Sequence, residues 1–323
     1  MDICKILKST FVYRSLSGFY RDYKKREKRA SCGNDYADKT FYIIGQHDEV
    51  GGLWWLINKV LMHLWYAEDK GYVPVVDLKH FKTQYTDPSL FGKVNVWEMF
   101  FEQPCGYTLD DIKNAKSIII NKQEPYPYPK YFMGNFYSDK ERIKLFNKLF
   151  NKYIKFNENT LAYLDSKVEE IFPSNEEVVG VLCRGTDYVV KKPKNHPVQP
   201  DPLDVISDVK HFLKTKNLHY VFLATEDQDI FEAFKESFGD YLLSVDQLRI
   251  RKNQIANSEF LAEVKNNIAS DRNYYKEGLD YISATYMLSK CDYFFSGMTG
   301  GCKGVLIMSS KFKYVKIYNL GMY

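Results

Sequence analysis

The chain has 323 residues, of which 45% are hydrophobic and 27% are charged, which is the composition of a globular protein and excludes a disordered chain. The length suffices for one large domain or two medium ones. No apolar run approaches the roughly 18 residues that a membrane-spanning helix needs, so no transmembrane segment is expected.

Residues 1–37 are predicted to form a basic amphipathic segment. The formal net charge is only +4 over the chain, but residues 1–30 hold nine Lys and Arg against three Asp and Glu. Apolar residues recur between these charges at helical spacing, which favours a helix on an anionic membrane surface over a nucleic-acid-binding tail. A solvated helix that packs on its own domain is the alternative. No nucleic-acid partner is expected.

The start of the chain and its cysteines indicate the compartment. The start has a short, interrupted apolar stretch and lacks a small-residue cleavage site, so no secretion is expected. The six cysteines are scattered, with no CxxC pair and no His cluster at ligand spacing. This pattern argues against disulfides and a zinc site. We expect a cytoplasmic protein, peripheral on the inner face of the membrane if residues 1–30 bind lipid.

The next part of the chain, 38–173, predicts a first Rossmann-like domain. A strand at 39–45, a polar loop that ends in two glycines, a helix at 53–71 and a strand at 72–78 follow one another. This order is a βαβ unit, which predicts a parallel sheet. A further strand at 117–121 leads into a proline-rich turn, and helical patterns then run from about 138 to 172.

The remaining part, 174–323, repeats this alternation of strands and helices. Strands are predicted at 178–183, 219–226, 241–246, 292–297 and 313–320, and helices at 202–217, 227–239, 280–291 and 300–310. The fold class is therefore α/β, with two Rossmann-like domains that face each other across a cleft. In such folds ligands bind where the parallel strands end.

The first loop at a strand end contains Arg184, Gly185, Thr186 and Asp187, directly after the apolar strand "VVGVLC". An arginine suits a diphosphate because its charge is permanent and its fork donates two parallel hydrogen bonds. Gly185 would let a ligand approach the backbone. The alternative is an ion pair between Arg184 and Asp187 that only closes a turn.

The second loop contains Thr225, Glu226 and Asp227, after the apolar run "YVFL". Carboxylates at this place could bind ribose hydroxyls or the N–H edge of a base. They are also ordinary residues at the start of a helix. Both roles stay open, and different residues of the loop could fill them.

The third loop opens a helix directly after a strand and contains Ser296, Gly297, Met298, Thr299, Gly300 and Gly301. Free backbone N–H groups and the positive end of a helix attract anions, so this loop is a candidate phosphate-binding turn. Cys302 precedes Lys303 where the Walker motif has a glycine, which argues against a magnesium–ATP site.

The first domain could supply the general base. Asp48 and Glu49 follow its first strand and are expected to face the cleft. A carboxylate at this place could deprotonate the acceptor hydroxyl in an inverting displacement. The alternative for both acids is a solvated loop before the next helix. Asp187 and Asp201 are lesser candidates for the base.

Aromatic residues could stack on acceptor sugars, although core packing is the commoner explanation for such rings. The candidates are Trp54, Trp55, Tyr126, Tyr128 and Tyr131.

Four stretches of the chain resemble motifs of the GT-B fucosyltransferases, which include bacterial α-1,2- and α-1,6-fucosyltransferases and the protein O-fucosyltransferases. "GGLWWLINKVLMHLWYAEDKGYVPVVDL" is similar to their N-terminal G-G-L-x-N-Q segment with its helix and strand. "VVGVLCRGTD" resembles the strand followed by H-x-R-R-G/T-D, and "VFLATED" resembles the strand that ends in A-T-D-D/E. "YMLSKCDYFFSGMTGGCKGV" resembles the third motif, a strand and turn before a helix.

This resemblance, which touches about half of the chain, implies an inverting transferase that uses GDP-fucose without a metal ion or other cofactor. The acceptor would be a sugar hydroxyl of a glycan or glycolipid. The resemblance implies that Arg184 neutralises the donor diphosphate and that Glu49 is the base. Glu226 or Asp227 would contact the nucleoside, and the turn residues that would contact the phosphates are Ser296, Met298, Thr299 and Gly300.

The chain departs from the family pattern at two positions of the arginine motif. Cys183 stands where the family usually has His, and Gly185 stands where it often has a second Arg. Two alternatives therefore stay open: a transferase that uses another nucleotide sugar, and an inactive nucleotide-sugar- or glycan-binding protein of the same fold.

Overall fold

The structure is a computed structural model that describes residues 27–46, 49, 51–121, 125, 135–255, 261–268 and 272–323. The amphipathic helix predicted within residues 1–26 lies outside the described residues, and so do Asp48, Tyr126, Tyr128 and Tyr131. In the described part of the chain, no helix is both long and apolar enough to cross a membrane.

Two sheets organise the described residues. Their strands are β1 (Lys28–Ala30), β2 (Phe41–Gly45), β3 (Val73–Asp77), β4 (Ile118–Asn121), β5 (Val178–Leu182), β6 (Tyr220–Ala224), β7 (Leu242–Leu243), β8 (Tyr293–Gly297) and β9 (Tyr314–Tyr318). The first sheet has the order β1-β4-β2-β3, with β1 antiparallel and the others parallel. The second has the order β7-β6-β5-β8-β9 and is parallel throughout. The predicted α/β class with two parallel-type sheets is confirmed.

Helices connect these strands and cover the sheets. They are α1 (Leu53–Lys70), α2 (Lys140–Tyr153), α3 (Glu158–Ile171), α4 (Thr186–Lys191), α5 (Pro202–Lys216), α6 (Gln228–Phe238), α7 (Leu261–Ile268), α8 (Tyr274–Lys290) and α9 (Gly300–Met308). Short 3-10 turns occur at Val96–Met99, Asn135–Ser138, Gly239–Tyr241 and Lys252–Gln254.

The order of the second sheet creates a natural binding crevice. The chain enters the sheet at its centre with β5, moves outward through β6 to β7, and then returns to the other side of β5 with β8. Where the strand order reverses in this way, the connections leave β5 and β8 in opposite directions, and a crevice opens at the carboxyl ends of the two strands. Arg184 follows β5 and Thr299 follows β8, so the topology brings these two residues to the same crevice.

The two halves of the chain share one apolar core. The core around α1 and α2 also contains Leu279, Ile282 and Tyr286 of α8 and Ile307 of α9. The last two helices of the second half therefore pack against the first half. The residues that line the cavity described below all belong to the second half.

The structure differs from the predicted elements at several places. The helical run predicted from 138 to 172 is two helices, because Asn157 starts a new one by accepting a hydrogen bond from the Thr160 N–H. The predicted strand at 241–246 shrinks to Leu242–Leu243, α4 starts directly after Arg184-Gly185, and α7 was not predicted. Within the predicted basic segment, residues 28–30 form the edge strand β1.

Candidate active site

A small cavity lies at the carboxyl ends of β5, β6 and β8. Its lining includes Arg184, Thr225, Glu226, Tyr281, Thr299 and Gly301. All three loops singled out in the sequence therefore contribute to one site. The cavity volume is about 30 Å³, which holds about one water molecule. A pocket for a nucleotide-sized ligand is about 300 to 1,000 Å³, so a donor could bind only after this site widens.

Arg184 is surrounded by carboxylates and an aromatic ring. Its side chain is 23% exposed, and Nη2 donates to Oδ1 of Asp187 over 2.9 Å. Nη1 lies 3.7 Å from Oε2 of Glu226, and Cζ lies 4.3 Å from the ring centroid of Tyr188. Burial alone would lower the pKa of Arg184, but these carboxylates hold it above its ordinary value. The guanidinium is therefore charged, and its buried Nε has no hydrogen-bond partner among the described residues.

Asp227 supports the turn that carries Arg184. It is fully buried, and Oδ2 accepts a hydrogen bond of 2.9 Å from the Thr186 N–H, while Oδ1 accepts from two amides at the start of α6. A side chain at Gly185 would overlap this carboxylate, so the glycine gives room to Asp227. Thr186 has a φ of +44°, which is a strained conformation for a β-branched residue. Of the two acids, Glu226 is the one that lines the cavity.

The predicted phosphate-binding turn forms the first turn of α9. Thr299 starts this helix, and its Oγ1 accepts from the Cys302 N–H over 3.0 Å. The N–H groups of Gly300 and Gly301 lie in the first turn, where a helix provides no acceptor. The preceding residues Ser296, Gly297 and Met298 are buried beneath the turn. Thr299 and Gly301 reach the cavity.

A second helix start, which was not predicted from the sequence, lies beside this site. The backbone N of Trp55, in the first turn of α1, lies 3.7 Å from the position that a Cβ would take on Gly300. The Tyr281 hydroxyl lies 3.6 Å from the position that a Cβ would take on Gly52 and 3.3 Å from the position that a Cβ would take on Gly301. The positive ends of α1 and α9 therefore meet beside the cavity, and together they favour an anion there.

The candidate bases occupy different environments. Glu49 is exposed on the loop between β2 and α1. Burial alone would raise the pKa of Asp187, but Arg184 and several hydrogen bonds hold it below its ordinary value, which weakens this carboxylate as a base. Asp201 is exposed and accepts from the Leu203 N–H over 2.8 Å at the start of α5. The role of base stays a prediction for Glu49.

The two adjacent tryptophans of α1 have opposite surroundings. Trp54 is 1% exposed, and its indole Nε1 donates to Oγ1 of Thr285 over 2.7 Å. It belongs to the core, so the prediction that its ring stacks on a sugar is wrong. Trp55 is 45% exposed, and its stacking on an acceptor stays a prediction.

Other residues at the cavity were not predicted from the sequence. Tyr281 and Thr285 lie on one face of α8, and their spacing of four residues is a signal that the sequence contains. Gln247, whose Nε2 donates to the Thr225 carbonyl over 2.5 Å, comes from an irregular segment that has no periodic signal. Within the residues that the structure describes, no group of His, Cys, Asp or Glu side chains is arranged to hold a metal ion.

Comparisons with known proteins identify the fold. No protein-family model matches the chain, and no curated protein matches it. Among solved structures, the chain is similar to the apo form of POFUT1 with 9% identity over 87% of this chain and 98% of that one, at a TM-score of 0.50. It is also similar to NodZ alpha-1,6-fucosyltransferase crystallised with GDP, with 17% identity over 83% and 92% of the two chains, at a TM-score of 0.49.

A third similar structure is POFUT1 in complex with GDP-fucose, with 10% identity over 90% of this chain and all of that one, at a TM-score of 0.47. Identities this low concern the fold alone. The resemblance to fucosyltransferases predicted from four sequence motifs is therefore confirmed at the level of the fold, and this chain has the two-sheet α/β architecture of the POFUT1 structure.

Proposed function

We propose that this protein is a glycosyltransferase that transfers fucose from GDP-fucose to a sugar hydroxyl of a glycan or glycolipid. The observation that carries the proposal is that Arg184 and the first turn of α9 line one cavity, beside which α1 also begins. A permanent cation and free backbone N–H groups are the groups that stabilise charge on a departing diphosphate. The four motifs and the fold shared with POFUT1 support fucose as the sugar.

Each residue of the site would have a specific task in this reaction. Arg184 and the amides of Gly300 and Gly301 would bind the diphosphate and stabilise the charge that develops on it. Glu226 would accept hydrogen bonds from the nucleoside. Glu49 or Asp48 would take the proton from the acceptor hydroxyl, whose oxygen then displaces GDP from the anomeric carbon in one step. Such a displacement converts a β-linked donor into an α-linked product, and the resemblance to fucosyltransferases implies that it needs no metal ion.

The size of the cavity implies a rearrangement when the donor binds. At about 30 Å³ the cavity excludes a nucleotide. In the bound state Arg184 would break its hydrogen bond with Asp187 and turn toward the diphosphate, because the diphosphate carries more negative charge than the carboxylate. We therefore expect GDP to change the environment of Arg184 and Tyr188.

Calorimetric titration with GDP, UDP, dTDP and ADP tests the donor class. The proposal predicts that GDP binds at least about tenfold more tightly than the other three, which corresponds to about 1.4 kcal/mol. Tighter binding of UDP or dTDP would mean that the donor is a sugar of that nucleotide. If none of the four nucleoside diphosphates binds, the proposal is overturned. Release of GDP from GDP-fucose by the purified protein would then exclude the inactive binding protein.

A further inference from the structure

We propose that Lys265 of α7 is a second donor-binding cation, which clamps the diphosphate together with Arg184. The carboxylate of Glu226 lies between the two cations, at the place where that diphosphate would bind. This proposal rests on the proposed function, because it concerns the same donor site.

Glu226 lies between the two cations. Nζ of Lys265 is 3.1 Å from Oε1 of Glu226, and Nη1 of Arg184 is 3.7 Å from Oε2. The side chain of Lys265 is only 13% exposed, so this lysine differs from the freely solvated lysines of the surface. Arg and Lys recognise carboxylates and phosphates through the same charge-assisted hydrogen bonds. The two cations around Glu226 thus already bind the oxygens of one anion, the Glu226 carboxylate.

The packing of helix α7 fixes Lys265 in this position. Leu261 and Val264, on the same helix, are buried in an apolar cluster with Ile250 and Ile255. The Leu261 N–H also donates to Oδ2 of Asp187 over 3.3 Å. Helix α7 is therefore attached to the turn that carries Arg184, and its lysine points at the same carboxylate as that arginine.

Lys265 also approaches Glu277, but this acid has a better partner. Nζ of Lys265 is 3.8 Å from Oε2 of Glu277. Arg272 donates to both oxygens of Glu277, over 2.6 and 2.9 Å. Since Glu277 is already satisfied by a bidentate arginine, Lys265 can leave it at little cost.

The balance of charge explains why Glu226 must move. The ion pairs of this network join three cations, Arg184, Lys265 and Arg272, to three acids, Asp187, Glu226 and Glu277. These charges cancel, so an incoming diphosphate meets no net attraction from them. Asp187 is held by several hydrogen bonds. Among the residues that the structure describes, the Glu226 carboxylate is held by the two cations. Rotation of Glu226 toward a ribose hydroxyl would release both cations to the diphosphate.

Titration with inorganic pyrophosphate and with GDP tests this assignment. Lys265→Gln should weaken the binding of both ligands about tenfold, as expected for the loss of one charge-assisted contact, and Lys265→Arg should restore most of it. Glu226→Gln should strengthen pyrophosphate binding several-fold because the competing anion is gone. The same variant should bind GDP less selectively over pyrophosphate. The matched control is Lys214→Gln, which removes an exposed lysine of α5 and should leave both affinities unchanged.

The outcomes separate this proposal from the proposed function. Unchanged affinities in a folded Lys265→Gln variant would overturn the second cation, while a loss of GDP binding in Arg184→Ala would still support the donor site. Pyrophosphate affinity that falls in Glu226→Gln would overturn the role of Glu226 as a substitute anion. If the unaltered protein binds pyrophosphate but not GDP, the proposed donor fails, and tenfold weaker pyrophosphate binding by Lys265→Gln would still support the two-cation clamp.

Discussion

Gly304 of α9 lies directly against the indole ring of Trp54 in α1, so close that a methyl group on Gly304 would overlap the ring. Trp54 is itself fixed by its hydrogen bond to Thr285 of α8. This contact joins three helices. Trp54 is the second residue of α1, and Gly304 lies about one turn after the start of α9. The packing of a glycine on a tryptophan therefore holds together the two helix ends that would face the diphosphate.

Gly304→Ala should destabilise the protein by about 1 to 3 kcal/mol, because the added methyl group overpacks a filled core. Elsewhere the same substitution inside a helix stabilises by about 1 kcal/mol. Urea denaturation measures the difference in the free energy of unfolding. In a Trp54→Leu background the smaller side chain leaves room, so the cost of Gly304→Ala should fall. A Gly304→Ala variant more stable than the unaltered protein would show that the helices are not packed in this way.

Asn58 of α1 is buried, and within the described part of the chain neither its Oδ1 nor its Nδ2 has a hydrogen-bond partner. A buried polar group without a partner costs about 1 to 3 kcal/mol. Asn58→Leu, which has a similar volume, should therefore raise the free energy of unfolding. The contrasting variant is Asn121→Leu, because the Asn121 amide donates to the Tyr42 hydroxyl over 2.7 Å and its loss should lower stability. The same sign of effect in both variants would count against this assignment.

His63 predicts how stability depends on pH. It is fully buried, with Nδ1 2.8 Å from the Tyr42 hydroxyl and Nε2 2.6 Å from Nε2 of Gln46. Burial, with a smaller effect of Lys59, lowers its pKa from 6.5 to about 3. Below pH 6.5 the unfolded chain binds a proton that the folded chain does not bind until about pH 3. Stability is therefore complete above this window and falls as the pH drops through it.

The slope from this one group is at most about 1.4 kcal/mol per pH unit. His63→Gln should reduce the dependence of the unfolding free energy on pH between about 6 and 4, even if the variant is less stable at pH 7. Urea denaturation at a series of pH values measures this slope. Equal slopes in the unaltered protein and in His63→Gln would mean that His63 is protonated while buried.

Much of the site could be predicted from the sequence because parallel strands end at one edge of a sheet. Arg184, Glu226 and Thr299 each follow an apolar run, and this position alone predicts that they share a crevice. The sequence could not decide between Glu226 and Asp227, because both acids follow the same strand. Only the fold shows that Asp227 is buried beneath Gly185 and that Glu226 reaches the cavity.

Other features depend on packing between distant segments. Trp54 and Trp55 are neighbours in an apolar run, and a rotation of about 100° between adjacent helix positions sends one ring into the core and the other to the surface. The pattern "LWWLI" is apolar on both sides and does not distinguish them. Helix α7 is short and only its tertiary contacts bring Lys265 to Glu226, so this cation had no sequence signal.

The most direct test of the donor site is the rate at which purified protein releases GDP from GDP-fucose, compared between the unaltered chain and Arg184→Ala. We predict a fall of at least about 100-fold, the size of effect seen when one charge-stabilising donor is removed from an active site. Arg251→Ala, which removes an arginine paired with Asp229 and Glu232 away from the cavity lining, should keep its rate. Turnover by a folded Arg184→Ala variant at the unaltered rate would contradict the proposal that this guanidinium binds the leaving diphosphate.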